Sequence, residues 1–414
     1  MAVQWEQLYA ERCDGLNASG IREILKVSGG PNFISLAGGL PAPELFPVDE
    51  VRRACELVLE NAPEQALQYG ATEGYEPLRA FISARLARLW NIRSTPDEVL
   101  ITSGSQQALD LVGRLFINPG DAVVVEDPSY VAALQAFISY QARFLVAPTD
   151  DDGVRTDALE ELLAREVVKF IYLVPTFQNP SGRTLSLPRR QHLLELSERY
   201  GVPIIEDDPY SELRYEGQAI PPLKALDPDG RVIYLGTFSK ILDPGMRLGW
   251  IVAARPVLDK LVLAKQPADL HTGMFQQMVT FEVVRAGFLE PHVQRLIPVY
   301  RERRDALLAA LARHFPDGEV TWTRPQGGLF VWATLPPDCH ALDFFREAAQ
   351  EDVSFVPGES FHPRGDVHNT LRLNFSNAAP HKLEDAVARL ARAFSKVERG
   401  KRRTRQYHEP LAII

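Results

Sequence analysis

A lysine stands just past an apolar run in residues 232–250, VIYLGTFSKILDPGMRLGW. Val232, Ile233, Tyr234 and Leu235 read as a short buried strand. A small polar cluster follows, from Gly236 to Lys240. A charged lysine at the tip of a buried strand is costly unless something offsets it. Thr237 and Ser239 lie within three residues of Lys240, and Arg247 follows. This combination suits an amine that forms a Schiff base, beside hydroxyls and a guanidinium that hold a phosphate. A strand end with a solvated lysine is the plain alternative.

Other strand ends carry similar chemistry. VLIT (99–102) leads through Ser103-Gly104-Ser105-Gln106-Gln107 into the helical spacing of Leu109, Val112, Leu115 and Phe116. A small-residue turn into a helix N-terminus binds anions, phosphate especially, though many such turns only cap the helix. It is no Walker loop, because the lysine is missing. AVVVE (122–126) ends at Asp127-Pro128-Ser129-Tyr130, where an aromatic ring can stack on a planar ligand or join the core. KFIYLVP (169–175) runs into TFQNPSG with Asn179. VPIIE (202–206) runs into Asp207-Asp208-Pro209-Tyr210. Strands alternating with helices, such as 188–200, predict a mostly parallel sheet with helices on both faces. Ligands bind such sheets at the carboxyl ends of the strands. Five successive strands therefore deliver Ser105/Gln106, Tyr130, Asn179, Asp207/Tyr210 and Thr237/Ser239/Lys240 to one edge. Together they supply an amine, a carboxylate, a phenol, an amide, a stacking ring and an anion cradle. That set matches pyridoxal phosphate, a planar phosphorylated pyridine aldehyde.

The whole chain is consistent with such an enzyme. It has 414 residues, enough for two domains, with 45% hydrophobic and 24% charged residues. The expected division is an arm at 1–45, a large domain at 46–288, a small α/β domain at 289–398 and a basic tail at 399–414. A net charge of −9 argues against a nucleic-acid surface. Three scattered cysteines suggest neither a disulfide framework nor a metal site. No apolar run reaches membrane-span length, and no signal peptide is evident, so a cytoplasmic location without membrane partners is expected.

In the arm, Asn17 and Ser19 are cap candidates for a helix with Ile21, Ile24 and Leu25 on one face. Arg22 lies off that face and by itself reads as solvated. Residues 33–47 loop past Gly38-Gly39, where the backbone can approach a ligand closely. Residues 48–61 and 76–90 read as helices, with Tyr69 in the loop between them. After about residue 285 come a long helix (291–315), short strands within 319–335 and 369–376, and a closing helix at 381–395. Arg372 faces opposite to Leu371 and Leu373 and reads as a surface residue or a carboxylate clamp. The tail from about 397 reads as loosely docked.

The chain resembles the fold-type I pyridoxal-phosphate aminotransferases, within them the α-aminoadipate/kynurenine aminotransferase group. The resemblance runs from about Ser19 to about residue 395. It is carried by ISLAGGLPAPELFP, LQYGATEGY, TSGSQQALDLV, PTFQNPSG, IIEDDPY, GTFSKILDPGMRLG, RPQGGLFVW and NTLRLNF. It implies a homodimer with shared active sites, taking amino acids such as 2-aminoadipate, glutamate, leucine or aromatics and a 2-oxo acid such as 2-oxoglutarate. It implies Lys240 as the Schiff-base lysine and proton carrier, and Asp207 as partner of the pyridine nitrogen. Tyr210 and Asn179 would hydrogen-bond the ring oxygen, and Tyr130 would stack on the ring. Ser105, Gln106, Thr237, Ser239 and Arg247 would hold the phosphate, joined by Tyr69 from the neighbouring subunit. Arg372 and Asn179 would bind the substrate carboxylate, Gly39 would line the pocket, and Arg22 would reach the substrate side chain. Asp243 departs from the group's pattern: a carboxylate there either raises the lysine's pKa or faces outward. Rival readings are a lyase or decarboxylase on the same scaffold, and a regulator or other cofactor-binding protein without catalysis.

Overall fold

The computed structural model describes residues 3–15, 30, 32–316 and 318–408. Arg22, Asn17 and Ser19, and with them the arm's expected helix, lie outside the described residues. Strand β1 (Ile34–Ser35) precedes eight strands that form one sheet: β2 (Val99–Thr102), β3 (Ala122–Asp127), β4 (Arg143–Asp150), β5 (Gly153–Val154), β6 (Val168–Leu173), β7 (Ile204–Asp207), β8 (Val232–Thr237) and β9 (Gly249–Val252). Their order is β2-β9-β8-β7-β6-β3-β4-β5. The pairs β3/β4, β3/β6, β6/β7 and β7/β8 are parallel. The apolar runs of β3, β6, β7 and β8 are buried almost throughout, as a sheet covered on both faces requires, whereas β4 near the edge buries only Val146 and Ala147. β9 runs antiparallel between β2 and β8, so β2 points the same way as β8. All five predicted site-bearing strands thus end at the same edge.

Two features differ from expectation. β9 belongs to the lysine stretch, yet its four residues follow directly on a turn and are too short to show a period. β4 and β5 form an antiparallel edge in a stretch for which the sequence pattern named no strand.

The C-terminal part builds a second sheet from β10 (Thr321–Trp322), β11 (Phe330–Thr334), β13 (Val356–Pro357) and β14 (Thr370–Asn374), all antiparallel, in the order β10-β11-β14-β13. β1 pairs in parallel with β12 (Val353–Ser354), which ties the N-terminal segment to this part. The long helix Leu289–His314 and the closing helix Pro380–His408 pack on it. The closing helix runs on through the start of the stretch expected as a loose tail. One apolar cluster continues from the large sheet, through Tyr210 and Phe330, into the second. No helix among the described residues is long and apolar enough to cross a membrane.

A fully buried arginine fixes the loop after β6. Arg190, on the helix Leu187–Tyr200, donates to the carbonyls of Pro175, Leu185 and Pro221, each at 3.0 Å, and to Thr176 Oγ1 at 2.8 Å. Glu206 lies 3.9 Å away, buried, its oxygens accepting the N–H groups of Leu223 and Lys224. Removing the guanidinium takes a donor from three carbonyls, of which Pro175 keeps the Leu185 N–H, and leaves a buried carboxylate without its counter-charge. Arg190→Ala is therefore expected to destabilise the fold by about 3–5 kcal/mol, read as a lower urea midpoint at unchanged slope. A loss below about 1 kcal/mol would mean that water replaces the arginine there.

Candidate active site

The strand ends open onto a cavity of about 330 Å³. Of the predicted residues, Ser105, Gln106, Tyr130, Asn179, Asp207 and Tyr210 line it. So do Gly39, Thr237, Ser239, Lys240, Arg247 and Arg372. Tyr69 does not: it is 78% exposed, its ring edge-on to His271.

Lys240 follows β8 and donates from Nζ to the carbonyl of Gly39 at 2.9 Å. Burial, reinforced by the positive charges of Arg372 and Arg247, lowers its pKa to about 8. The amine thus gives up its proton far more readily than an ordinary lysine, although it is still mostly protonated at pH 7. Asp243 does not raise it. Its Oδ1 instead accepts the N–H of Met246 at 2.8 Å and closes the turn that carries Arg247.

Asp207 is the last residue of β7 and is buried. Its Oδ2 accepts the Tyr172 hydroxyl at 2.9 Å, while Oδ1 has no partner. Burial pushes its pKa up to about 7, offset in part by that bond and assisted by nearby Asp208. An unpartnered carboxylate oxygen on a cavity wall awaits a donor from the ligand. A protonated pyridine nitrogen fits it.

Asn179 lies in the loop after β6. Its Oδ1 accepts from Arg372 Nη1 at 2.8 Å, and its side chain lies close to the Tyr210 hydroxyl. Burial raises the pKa of Tyr210 well above a phenol's usual value and pushes that of Tyr130 up to about 12, so both stay neutral. Arg372 is buried on β14, opposite Trp332. Nη2 donates to the Ala37 carbonyl at 2.7 Å, and Nε has no partner. Phe330 and Phe361 stack on the guanidinium at 4.3 and 5.1 Å. Among the described residues no carboxylate pairs with it, and burial lowers its pKa to about 10.

The opposite end is built for an anion. The helix Gly104–Phe116 starts there, with free N–H groups in its first turn. Gly104 has φ +73°, and a Cβ on it would meet Arg247 Nη2 at 2.6 Å. The Thr237 hydroxyl bonds Ser239 Oγ at 2.9 Å and accepts the Ser239 N–H at 3.1 Å. These groups fit a phosphate. Sequence reasoning missed Tyr172, Phe330 and Phe361. Tyr172 is hidden inside an apolar run, and the two phenylalanines read as core. Only the alternation that places Tyr172 on one face of β6 could have pointed to it.

Removing the Asp207 charge should show directly in stability. The folded protein without cofactor holds its proton to about pH 7, whereas an unfolded aspartate loses it near pH 3.8. Between these values the folded state binds more protons, so this group's contribution falls as pH rises. Asp207→Asn should match wild type near pH 4 and exceed it by on the order of 4 kcal/mol above pH 7. Melting of both cofactor-free proteins from pH 4 to 8 checks this. A constant difference across that range would rule out the orphaned-carboxylate argument.

A family model described as aminotransferase class I and II matches residues 32–390. Over 394 residues the chain is 48% identical to aromatic-amino-acid aminotransferase 1 of Thermococcus litoralis, covering 94% of each chain. It is 46% identical over 394 residues to 2-aminoadipate transaminase of Thermus thermophilus, covering 94% of this chain and 97% of that one. It also matches, with a TM-score of 0.90 and 45% identity, the crystal structure of an α-aminoadipate aminotransferase from Thermus thermophilus complexed with N-(5'-phosphopyridoxyl)-L-leucine. That match covers 96% of this chain and 100% of that one.

Proposed function

The chain belongs to the class I and II aminotransferases, and we propose that this pyridoxal-phosphate enzyme acts as a homodimer on acidic, branched-chain and aromatic L-amino acids. Its donors would be 2-aminoadipate, glutamate and leucine, and its acceptor 2-oxoglutarate. The relatives named for aromatic amino acids and for 2-aminoadipate support that range, as does the leucine adduct in the similar structure. The observation that carries the reading is the buried arginine without a carboxylate partner, set across one cavity from a phosphate cradle.

Pyridoxal phosphate, when bound, supplies an aldehyde that condenses with amines and a ring that draws electrons from the substrate Cα. Lys240 Nζ is the group that holds the cofactor and, as a neutral amine, moves the substrate α-proton. A base so placed contributes roughly 10²–10⁴-fold. Asp207 Oδ1 would accept from the ring nitrogen, keeping it protonated. Asn179 and Tyr210 would donate to the ring oxygen, and Tyr130 would stack on the ring face. Ser105, Gln106, Thr237, Ser239 and Arg247 would hold the phosphate. Arg372 and Asn179 would orient the substrate carboxylate, with Gly39 beside it.

A second copy of the chain would cover exposed apolar residues such as Leu40, Leu57, Leu59, Leu67, Tyr69 and Leu270. Tyr69, pointing away from its own cavity, would reach the neighbour's phosphate. Arg22 would face acidic substrate side chains.

Absorbance of the purified enzyme, with amino acids added singly, tests the reaction. The cofactor band is expected to shift to the amine form with 2-aminoadipate, glutamate and leucine. A bound cofactor that no amino acid converts would defeat the substrate assignment. Two variants separate the binding roles. Arg372→Ala should cost about 2–5 kcal/mol, hence roughly 30-fold or more in kcat/KM, for every substrate alike. Arg22→Ala should lower the ratio of 2-aminoadipate to leucine turnover, and an unchanged ratio would remove Arg22 from specificity.

A further inference from the structure

His362 is a buried histidine that the reaction itself does not use. Its Nδ1 lies 2.6 Å from Asp127 Oδ1, and its Nε2 lies 3.0 Å from Thr370 Oγ1. Asp127 is the last residue of β3 in the large sheet. Thr370 opens β14 in the second sheet, two residues before Arg372. One imidazole therefore bridges the two sheets beside the cavity.

The residue before it is Phe361, whose ring covers Arg372. Phe361 ends the short turn Gly358–Phe361 and is buried in a small apolar cluster with Ala37, Val131, Trp332 and Val356. Its carbonyl accepts the Ser129 N–H at 2.8 Å, and its ring meets Trp332 edge-on at 5.5 Å. Thr370 is itself confined, because a Cβ on Gly358 would lie 2.0 Å from its Oγ1. The Asp127 carbonyl accepts from Thr149 Oγ1 at 2.7 Å, so the far end of the bridge is tied to β4 of the large sheet. These bonds fix the backbone from which the Phe361 ring enters its apolar cluster, and that ring is one of the two that stack on the Arg372 guanidinium.

We propose that the Asp127–His362–Thr370 bridge positions Phe361, and through it Arg372, for the substrate carboxylate. His362 is a positioning residue: it touches neither substrate nor cofactor. The proposal rests on the reading of Arg372 as the carboxylate clamp. Every donor and acceptor of the enzyme carries that same carboxylate, which gives the bridge a signature. Loosening it weakens binding of all substrates by one factor, whatever their side chain. A loss of general folding quality would instead show in the melting temperature and in cofactor affinity.

His362→Ala and Asp127→Ala should each raise KM about tenfold for glutamate, leucine and 2-oxoglutarate together, within the coupling range of residues in one network. kcat should change by less than about threefold, and the double variant should be no worse than either single one. Asp127→Asn keeps an acceptor for Nδ1–H and should recover most of the loss seen in Asp127→Ala. The dissociation constant for pyridoxal phosphate, measured by titrating the cofactor-free protein, should not move. Should the alanine variants fold poorly, Thr370→Val removes one partner at nearly constant volume and should give the same uniform KM pattern at about threefold. Unchanged KM values, a rise confined to one substrate, or additive single effects would overturn the proposal. Arg372→Ala without an effect on KM would instead remove the carboxylate-clamp reading beneath it.

Discussion

Charge held dry without its own counter-charge is the constraint on which this structure turns. Asp207 offers a carboxylate oxygen that nothing among the described residues satisfies. Arg372 offers a guanidinium bonded only to an amide oxygen and a backbone carbonyl. Lys240 lies between such cations with a backbone carbonyl for company. Each arrangement is unfavourable in a folded protein taken alone. All three become favourable together when a ligand brings a protonated ring nitrogen, a phosphate and a carboxylate into the one cavity. The site is destabilised as built and relieved by what it binds.

Holding such groups in place falls to residues that do no chemistry. Tyr172 fixes one oxygen of Asp207, which leaves the other free to face the cavity. Arg190 anchors the loop that carries Asn179 by three of its donated bonds, and ties it to Pro221 by the fourth. The Asn179 side chain bonds Arg372 and lies beside Tyr210, so groups from both sheets meet at one residue. Rigid strands supply the first part of each residue's position and these bonds supply the rest. Catalytic geometry held to a fraction of an ångström requires both.

Much of this was legible in the chain, because strand ends are legible. Apolar runs such as VIYLGT and AVVVED announce buried parallel strands, and polar residues just beyond them must then share an edge. Twelve of the residues named from sequence line the cavity. What escaped has physical causes. β9 is four residues long and depends on pairing with β2 and β8, which a local pattern does not encode. Tyr172 reads as core because its ring is core; only its hydroxyl serves the site. Phe361 stacks on Arg372 through a contact between residues eleven positions apart on different elements. Asp243 was legible as a residue but not as a role, since its partner is the backbone N–H of Met246.

The placement of Arg372 explains why the two sheets must act as one. Its strand belongs to the second sheet, yet its bonds run to the loop after β6 and to the segment before Gly39. The aromatic rings on either side hold the guanidinium plane without neutralising it, so its charge remains available. A lysine there would lose both the stacking and the fork of donors that a carboxylate matches. On the proposed reading, a substrate carboxylate bound at this point would bridge both sheets, and the binding energy of a group remote from the reacting bond would serve to fix Cα beside Lys240.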